Sequence, residues 1–268
     1  MPNFFDSVEE RRIHRESQLC IGLDTDPDRI PQILQNDPDP MWSFNREIID
    51  ATSDLVCCYK PQIAYYAGVA AEETLEKTIA YAQDKGVPVL LDFKRGDIGS
   101  TAKMYAKEAF ERYGADAVTI NPYMGFDAME PFLEYADKGI FILCRTSNPG
   151  GSDLQNLVLD SGQRVYEHVA ELAASQWNQN HNVGLVVGAT RPEEIAIIRK
   201  IVGKMNLLLP GVGAQKADVK AMMEAGKGGG MIVNSARAVL YASDQSDFAA
   251  KARQVAKDTR DQISVLGK

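Results

Sequence analysis

Val87-Pro88-Val89-Leu90-Leu91-Asp92-Phe93-Lys94-Arg95-Gly96-Asp97 is an apolar run that ends in a cluster of charge. The run follows Gly86 and reads as a strand buried on both faces, the kind found in a parallel sheet covered by helices. Residues two apart in a strand share a face, so Asp92 and Lys94 are expected to point the same way from its end. Gly96 is expected to turn the chain sharply, bringing Asp97 back toward the lysine or out toward a neighbouring subunit. At an effective dielectric near 20, a carboxylate about 4 Å from an ammonium stabilises it by roughly 4 kcal/mol before desolvation. A lysine so flanked keeps its proton. It suits stabilising or protonating a carbanion better than forming a Schiff base, which needs a lysine that loses its proton readily. The plainer reading of an isolated D-x-K-x-x-D is a solvated charge pair at a strand end, and the rest of the chain decides between the two.

Strand-like apolar runs recur at 19–24, 55–60, 87–94, 117–121, 140–145, 183–188, 206–211 and 230–234. Amphipathic stretches at 71–85, 100–113, 128–138, 192–202 and 217–224 lie between them. A closing helix is expected over 247–263 with Ser246 as its N-cap. Eight strands close a parallel barrel. The expected fold is therefore α/β, a single (β/α)8 TIM barrel domain over residues 1–268. A helix at 4–18 would cap the barrel bottom or pack on its outside. The segment 146–182 reads as an insertion after the fifth strand, with a helix over 160–177. A doubly wound open sheet is the rival architecture, but Gly22-Leu23-Asp24-Thr25-Asp26 stands where its G-x-G-x-x-G would follow the first strand.

The 268 residues, 45% of them hydrophobic, are enough to bury a large core. A net charge of −8 opposes a nucleic-acid groove or an anionic membrane surface, while leaving room for a local basic pocket that takes a small anion. No apolar run approaches a membrane span, and the first residues lack a basic region followed by an apolar one, so a cytoplasmic protein is expected. Cys20, Cys57, Cys58 and Cys144 all fall in apolar runs and read as reduced buried thiols. His14, His168 and His181 are far apart, with no H-E-x-x-H or C-x-x-C, so no structural metal site is expected.

Catalytic groups of a (β/α)8 barrel come from the C-terminal ends of its strands. Here the first run ends in Asp24, the second in Lys60 and the third in Asp92 and Lys94. The fifth leads into Ser147-Asn148-Pro149-Gly150 and the eighth into Arg237. Carboxylates and cations thus alternate around one rim. The seventh run leads into Pro210-Gly211-Val212-Gly213-Ala214-Gln215, where glycines expose backbone N–H groups at the usual phosphate cradle of this architecture. Arg237, after the next strand, supplies a fixed fork for phosphate oxygens. Gly228-Gly229-Gly230 precedes the eighth strand and belongs to the opposite end, as a loop.

Asp92-Phe93-Lys94-Arg95-Gly96-Asp97-Ile98-Gly99-Ser100-Thr101, together with Pro210 to Gln215 and the late Arg237, closely resembles the orotidine 5′-phosphate decarboxylase family. The similarity runs from Asp24 to Tyr241. Cys144-Arg145-Thr146-Ser147-Asn148-Pro149-Gly150 and the insertion after it resemble the longer bacterial, type 2 subfamily; Asn148 departs from the common Ser-His-Pro-Gly form of that loop. The resemblance implies that Lys94 is the general acid at C6 of the pyrimidine and that Asp92 sits against the substrate carboxylate. It implies that Lys60 and Asp24 hold the ribose hydroxyls. Asp97 and Thr101, with Ile98 in the same substrate-binding segment, would reach the neighbouring subunit's site, where Asp97 completes the charged array. Ser147 would read the pyrimidine edge. Gln215 and Arg237 would grip the phosphate, with Pro210 at the base of their loop. The implied assembly is a homodimer with shared sites, the substrate is a small molecule, and neither metal nor organic cofactor is implied. Sugar-phosphate enzymes of the same superfamily use D-x-K-x-x-D with magnesium, but they would need a further carboxylate from an early strand, and a cation, Lys60, ends the second run here. A barrel that only binds a nucleotide phosphate is the non-catalytic alternative; binding alone gives no reason to crowd Asp92, Lys94 and Asp97.

Overall fold

Each of the eight apolar runs forms a strand in the computed structural model, which describes residues 3–212 and 218–266. The strands are β1 (Leu19–Leu23), β2 (Cys58–Pro61), β3 (Leu90–Leu91), β4 (Ala117–Ile120), β5 (Gly139–Arg145), β6 (Val183–Val187), β7 (Leu207–Pro210) and β8 (Met231–Ser235). They pair in parallel in the order β2-β1-β8-β7-β6-β5-β4-β3. Bridges between Tyr59 and Val89 and between Gln62 and Asp92 join the two ends of that order, with Asp92 N donating to Pro61 O at 2.8 Å. The sheet therefore closes on itself, and the fold is the (β/α)8 barrel the repeat count predicts.

The helices are α1 (Phe4–Arg15), α2 (Pro40–Thr52), α3 (Ile63–Ala67), α4 (Glu72–Asp84), α5 (Gly99–Lys107), α6 (Phe126–Leu133), α7 (Ser152–Gln155), α8 (Val165–Leu172), α9 (Pro192–Val202), α10 (Val219–Gly226), α11 (Arg237–Leu240) and α12 (Phe248–Leu266). Three expectations need correction. The helix expected over 160–177 begins only at Val165, because Gly162 takes φ +84 and Glu167 caps Arg164 N at 2.9 Å. That helix also packs on β5 and α9, so it serves as the barrel's own fifth helix and the inserted part is shorter. The closing helix starts at Phe248, with Lys251 N donating to Asp247 O, so Asp247 rather than Ser246 precedes it.

Inward-facing Cys20, Cys58, Leu90, Phe141, Val186, Leu208 and Ile232 fill the barrel, and Phe4 and Val8 of α1 plug its lower end. The rings of Phe4, Phe5 and Phe141 meet edge to face at 5.5–6.0 Å. Helix α1 thus caps the bottom, one of the two placements its sequence allowed. All four cysteines are free and buried. Gly228-Gly229-Gly230 lies at this same end and has a packing role. The Arg199 guanidinium donates to the carbonyls of Gly226, Gly203, Met205 and Gly230, and a Cβ on Gly229 would stand 2.2 Å from its Nη1. Burial without a carboxylate pushes the Arg199 pKa down to about 10.

Truncating the plug separates stability from the opposite rim. Phe4→Ala, which empties a 3% exposed ring site, should cost about 3–5 kcal/mol in denaturant unfolding. Turnover per folded molecule should stay within about twofold of wild type; a large loss of turnover would show that the plug and the rim are coupled.

Candidate active site

The third strand delivers its charges by a different route from the one its periodicity predicts. Regular strand geometry stops at Leu91, and Lys94 takes φ +48, a left-handed conformation rare for a residue with a Cβ. Gly96 has no positive φ. The sharp turn therefore falls on Lys94 itself, and this turn, not strand alternation, brings its ammonium onto Asp92 Oδ1. Such a backbone costs of order 1–3 kcal/mol and persists only where neighbours impose it. Thr119 on β4 does so: its carbonyl accepts from Lys94 N at 2.8 Å and its Oγ1 accepts from Phe93 N at 2.9 Å. The same hydroxyl donates to Asp92 Oδ1 at 2.8 Å.

From Asp92 the charges continue across the barrel mouth. Lys60 Nζ, on β2, lies 2.9 Å from Asp92 Oδ2 and 3.7 Å from Asp24 Oδ1, just beyond β1. The order is Asp24, Lys60, Asp92, Lys94, alternating in sign. Lys60 is buried, and burial alone would lower its pKa, but Asp24 and Asp92 hold it above the ordinary lysine range. Burial would likewise raise Asp92; the ammoniums of Lys60 and Lys94 overcome this and hold its carboxyl below the usual carboxylate range. Asp24 Oδ1 is buried and accepts no hydrogen bond among the described residues, although the Lys60 ammonium stands 3.7 Å away, so the acceptor has spare capacity. A cationic side chain occupies the space between the two carboxylates, which opposes a metal ion there. Among the described residues no group of three or more His, Cys, Asp or Glu side chains could hold a metal.

The remaining sequence candidates sit around this row. Asp97 accepts from Ile98 N at 2.7 Å and makes no ion pair with Lys94 of its own chain. Ile98 is 58% exposed, Thr101 on α5 is exposed, and Met124 lies beside Gly96. Ser147 follows β5 and packs against Gly188 at the end of β6. Pro210 ends β7 and accepts from Ala189 N at 3.0 Å. Arg237 opens α11, is exposed, and has no ion-pair partner among the described residues. Gln215 lies outside the described residues. Thr119 is the residue sequence reasoning passed over; its signal was a lone hydroxyl inside the apolar run Ala117-Val118-Thr119-Ile120.

The model of the orotidine 5′-phosphate decarboxylase / HUMPS family matches residues 17–252. The chain belongs to this family. It is 58% identical over 255 residues to the orotidine 5′-phosphate decarboxylase of Aromatoleum aromaticum, covering 93% of this chain and 94% of that one. The enzyme of the same name from Ralstonia pickettii is 60% identical over 253 residues, covering 92% and 93%. Among solved structures, Leishmania donovani OMP decarboxylase superposes with a TM-score of 0.84 at 36% identity, over 99% of this chain and 98% of that one. The chain is thus an enzyme on the orotidine 5′-phosphate decarboxylase side of its family.

The lowered Asp92 pKa fixes the sign of a pH effect. A carboxyl held below its unfolded value of about 3.9 contributes stability that is complete above that value and is lost as pH falls through the folded value. Asp92→Asn should therefore be less stable than wild type near pH 7, and the gap should narrow only below about pH 4. Unfolding curves of both proteins across pH 3–8 measure it; a gap that narrows between pH 8 and 5 contradicts the assignment.

Proposed function

We propose that the barrel mouth converts orotidine 5′-phosphate to uridine 5′-phosphate and CO2, the last step of de novo pyrimidine nucleotide synthesis, with Lys94 as general acid at C6. The observation that carries this reading is the alternating row Asp24, Lys60, Asp92, Lys94 at the strand ends of a barrel whose close relatives bear the decarboxylase name. When the bond from C6 to the carboxylate breaks, CO2 leaves and the electron pair stays on C6. The Lys94 ammonium is a fixed counter-charge for that pair and then transfers a proton to it. Asp92 faces the departing carboxylate with a charge it cannot shed at neutral pH, a repulsion relieved as CO2 forms. Asp24 and Lys60 hold the ribose hydroxyls, and the undonated Asp24 Oδ1 is an acceptor suited to one of them. Ser147 reads the pyrimidine edge. Arg237 and Gln215, with Pro210, grip the phosphate, whose binding energy far from C6 helps orient the ring.

The working unit in this reading is a cytoplasmic homodimer of one-domain chains covering residues 1–268. Asp97 makes no ion pair with its own Lys94, and two exposed apolar side chains lie close by in the chain, Ile98 next to it at 58% and Met124 beside Gly96 at 42%. An apolar border around an unpaired carboxylate suits a second copy of the chain, with Asp97, Ile98 and Thr101 completing the partner's site.

Purified protein should convert orotidine 5′-phosphate at full rate in excess chelator, and Lys94→Ala should abolish turnover while keeping the fold. Strict dependence on added magnesium, or a tenth of wild-type rate in Lys94→Ala, would overturn the reaction or the role. Lys94→Ala and Asp97→Ala should each be nearly inactive alone. Mixed in equal amounts and allowed to exchange subunits, half the dimers are mixed and half of their sites intact, so roughly a quarter of wild-type activity should return. No recovery after exchange verified by mass spectrometry of tagged subunits would place Asp97 in its own subunit's site.

A further inference from the structure

We infer that Gln155, in the segment inserted after β5, is a positioning residue that sets the Ser147 loop, an inference that rests on the reading of Ser147 as the pyrimidine contact. Arg145, the last residue of β5, is 1% exposed and forked onto Glu194 of α9 through Nε at 2.8 Å and Nη2 at 3.0 Å. This pair fixes the root of the loop to a neighbouring helix. Gln155, at the end of α7, then reaches back over the loop. Its Oε1 accepts from Thr146 N at 2.9 Å and from Arg145 Nη1 at 2.9 Å, and its Nε2 donates to Thr146 Oγ1 at 2.8 Å. One amide thereby holds the backbone and side chain of the residue directly before Ser147.

The surroundings leave the loop little freedom to settle elsewhere. A Cβ on Gly151 would stand 2.7 Å from Thr146 Oγ1 and 3.1 Å from Gln155 Oε1, so the chain crosses the latch at contact distance. On the other side, Gly188 N donates to Arg145 O at 2.8 Å, and a Cβ there would stand 3.0 Å from both Ser147 N and Ser147 Cβ. Ser147 is pressed between the end of β6 and a loop held by Gln155. The inserted segment therefore acts on the site through α7: it carries the latch, with no side chain of its own needed on the substrate.

Gln155→Ala in the full-length protein tests this against two inhibitors. Uridine 5′-phosphate carries the base, and ribose 5-phosphate does not. The variant should raise KM for orotidine 5′-phosphate and Ki for uridine 5′-phosphate by at least about tenfold, and leave Ki for ribose 5-phosphate within about twofold. Gln155→Glu keeps an acceptor for Thr146 N and Arg145, and should bring KM back to within about threefold of wild type. Equal weakening of both inhibitors, no weakening of either, or failure of the folded Glu variant to recover overturns the latch. If Gln155→Ala does not fold, Gln155→Met, of similar length and without the amide, is compared with Gln155→Glu on the same readings. Absence of turnover in the wild-type protein removes the decarboxylase reading itself, whereas wild-type turnover with an unaffected latch variant removes only the role of Gln155.

Discussion

The carboxylate of Asp92 is the point on which the upper half of the barrel turns. Both of its oxygens are engaged, Oδ2 by Lys60 and Oδ1 by Lys94 and Thr119. Through them it ties β2, β3 and β4 together at the place where the sheet must close. There β2 and β3 are joined by isolated bridges, and β3 meets β4 in a register of only two residue pairs. A charge this deeply placed is tolerable because it is paired; with both ammoniums gone, the uncompensated buried ion would cost about 3–5 kcal/mol. The closure of the ring and the charge order of its mouth are consequences of one set of contacts.

The two ends of the barrel solve opposite problems. At the bottom, aromatic rings of α1 and β5 fill the opening, and the one buried guanidinium described there, Arg199, is satisfied by neutral carbonyls. At the top, charges are concentrated and left with spare capacity, as the undonated Asp24 Oδ1 and Arg237, without an ion-pair partner among the described residues, show. Satisfied polar groups stabilise a fold; unsatisfied ones are free to act on something else.

Much of this was legible in the sequence because parallel strands buried on both faces write themselves as uninterrupted apolar runs. Eight runs gave the strand number, and the polar residues ending them gave Asp24, Lys60, Asp92 and Lys94. The helix over 192–202 matched to the residue because Pro192 begins it and Gly203 follows it. What failed depended on backbone angles that pattern alone does not carry. Gly96 looked like the turn because glycine is the usual owner of positive φ, yet Lys94 takes that conformation. Thr119 was hidden because one hydroxyl in an apolar run reads as noise until its partners are known. Gln155 sits eight residues after Ser147, in a stretch whose periodicity says nothing about which side chain folds back.

The left-handed backbone at Lys94 sets two demands of the fold against each other at a single position. Glycine or asparagine adopts that conformation readily. Either would also take one ammonium from the buried carboxylate of Asp92 and leave Lys60 as its remaining cation. A lineage of this barrel released from its reaction should therefore change positions 94 and 92 together, easing the turn only where the buried charge goes with it.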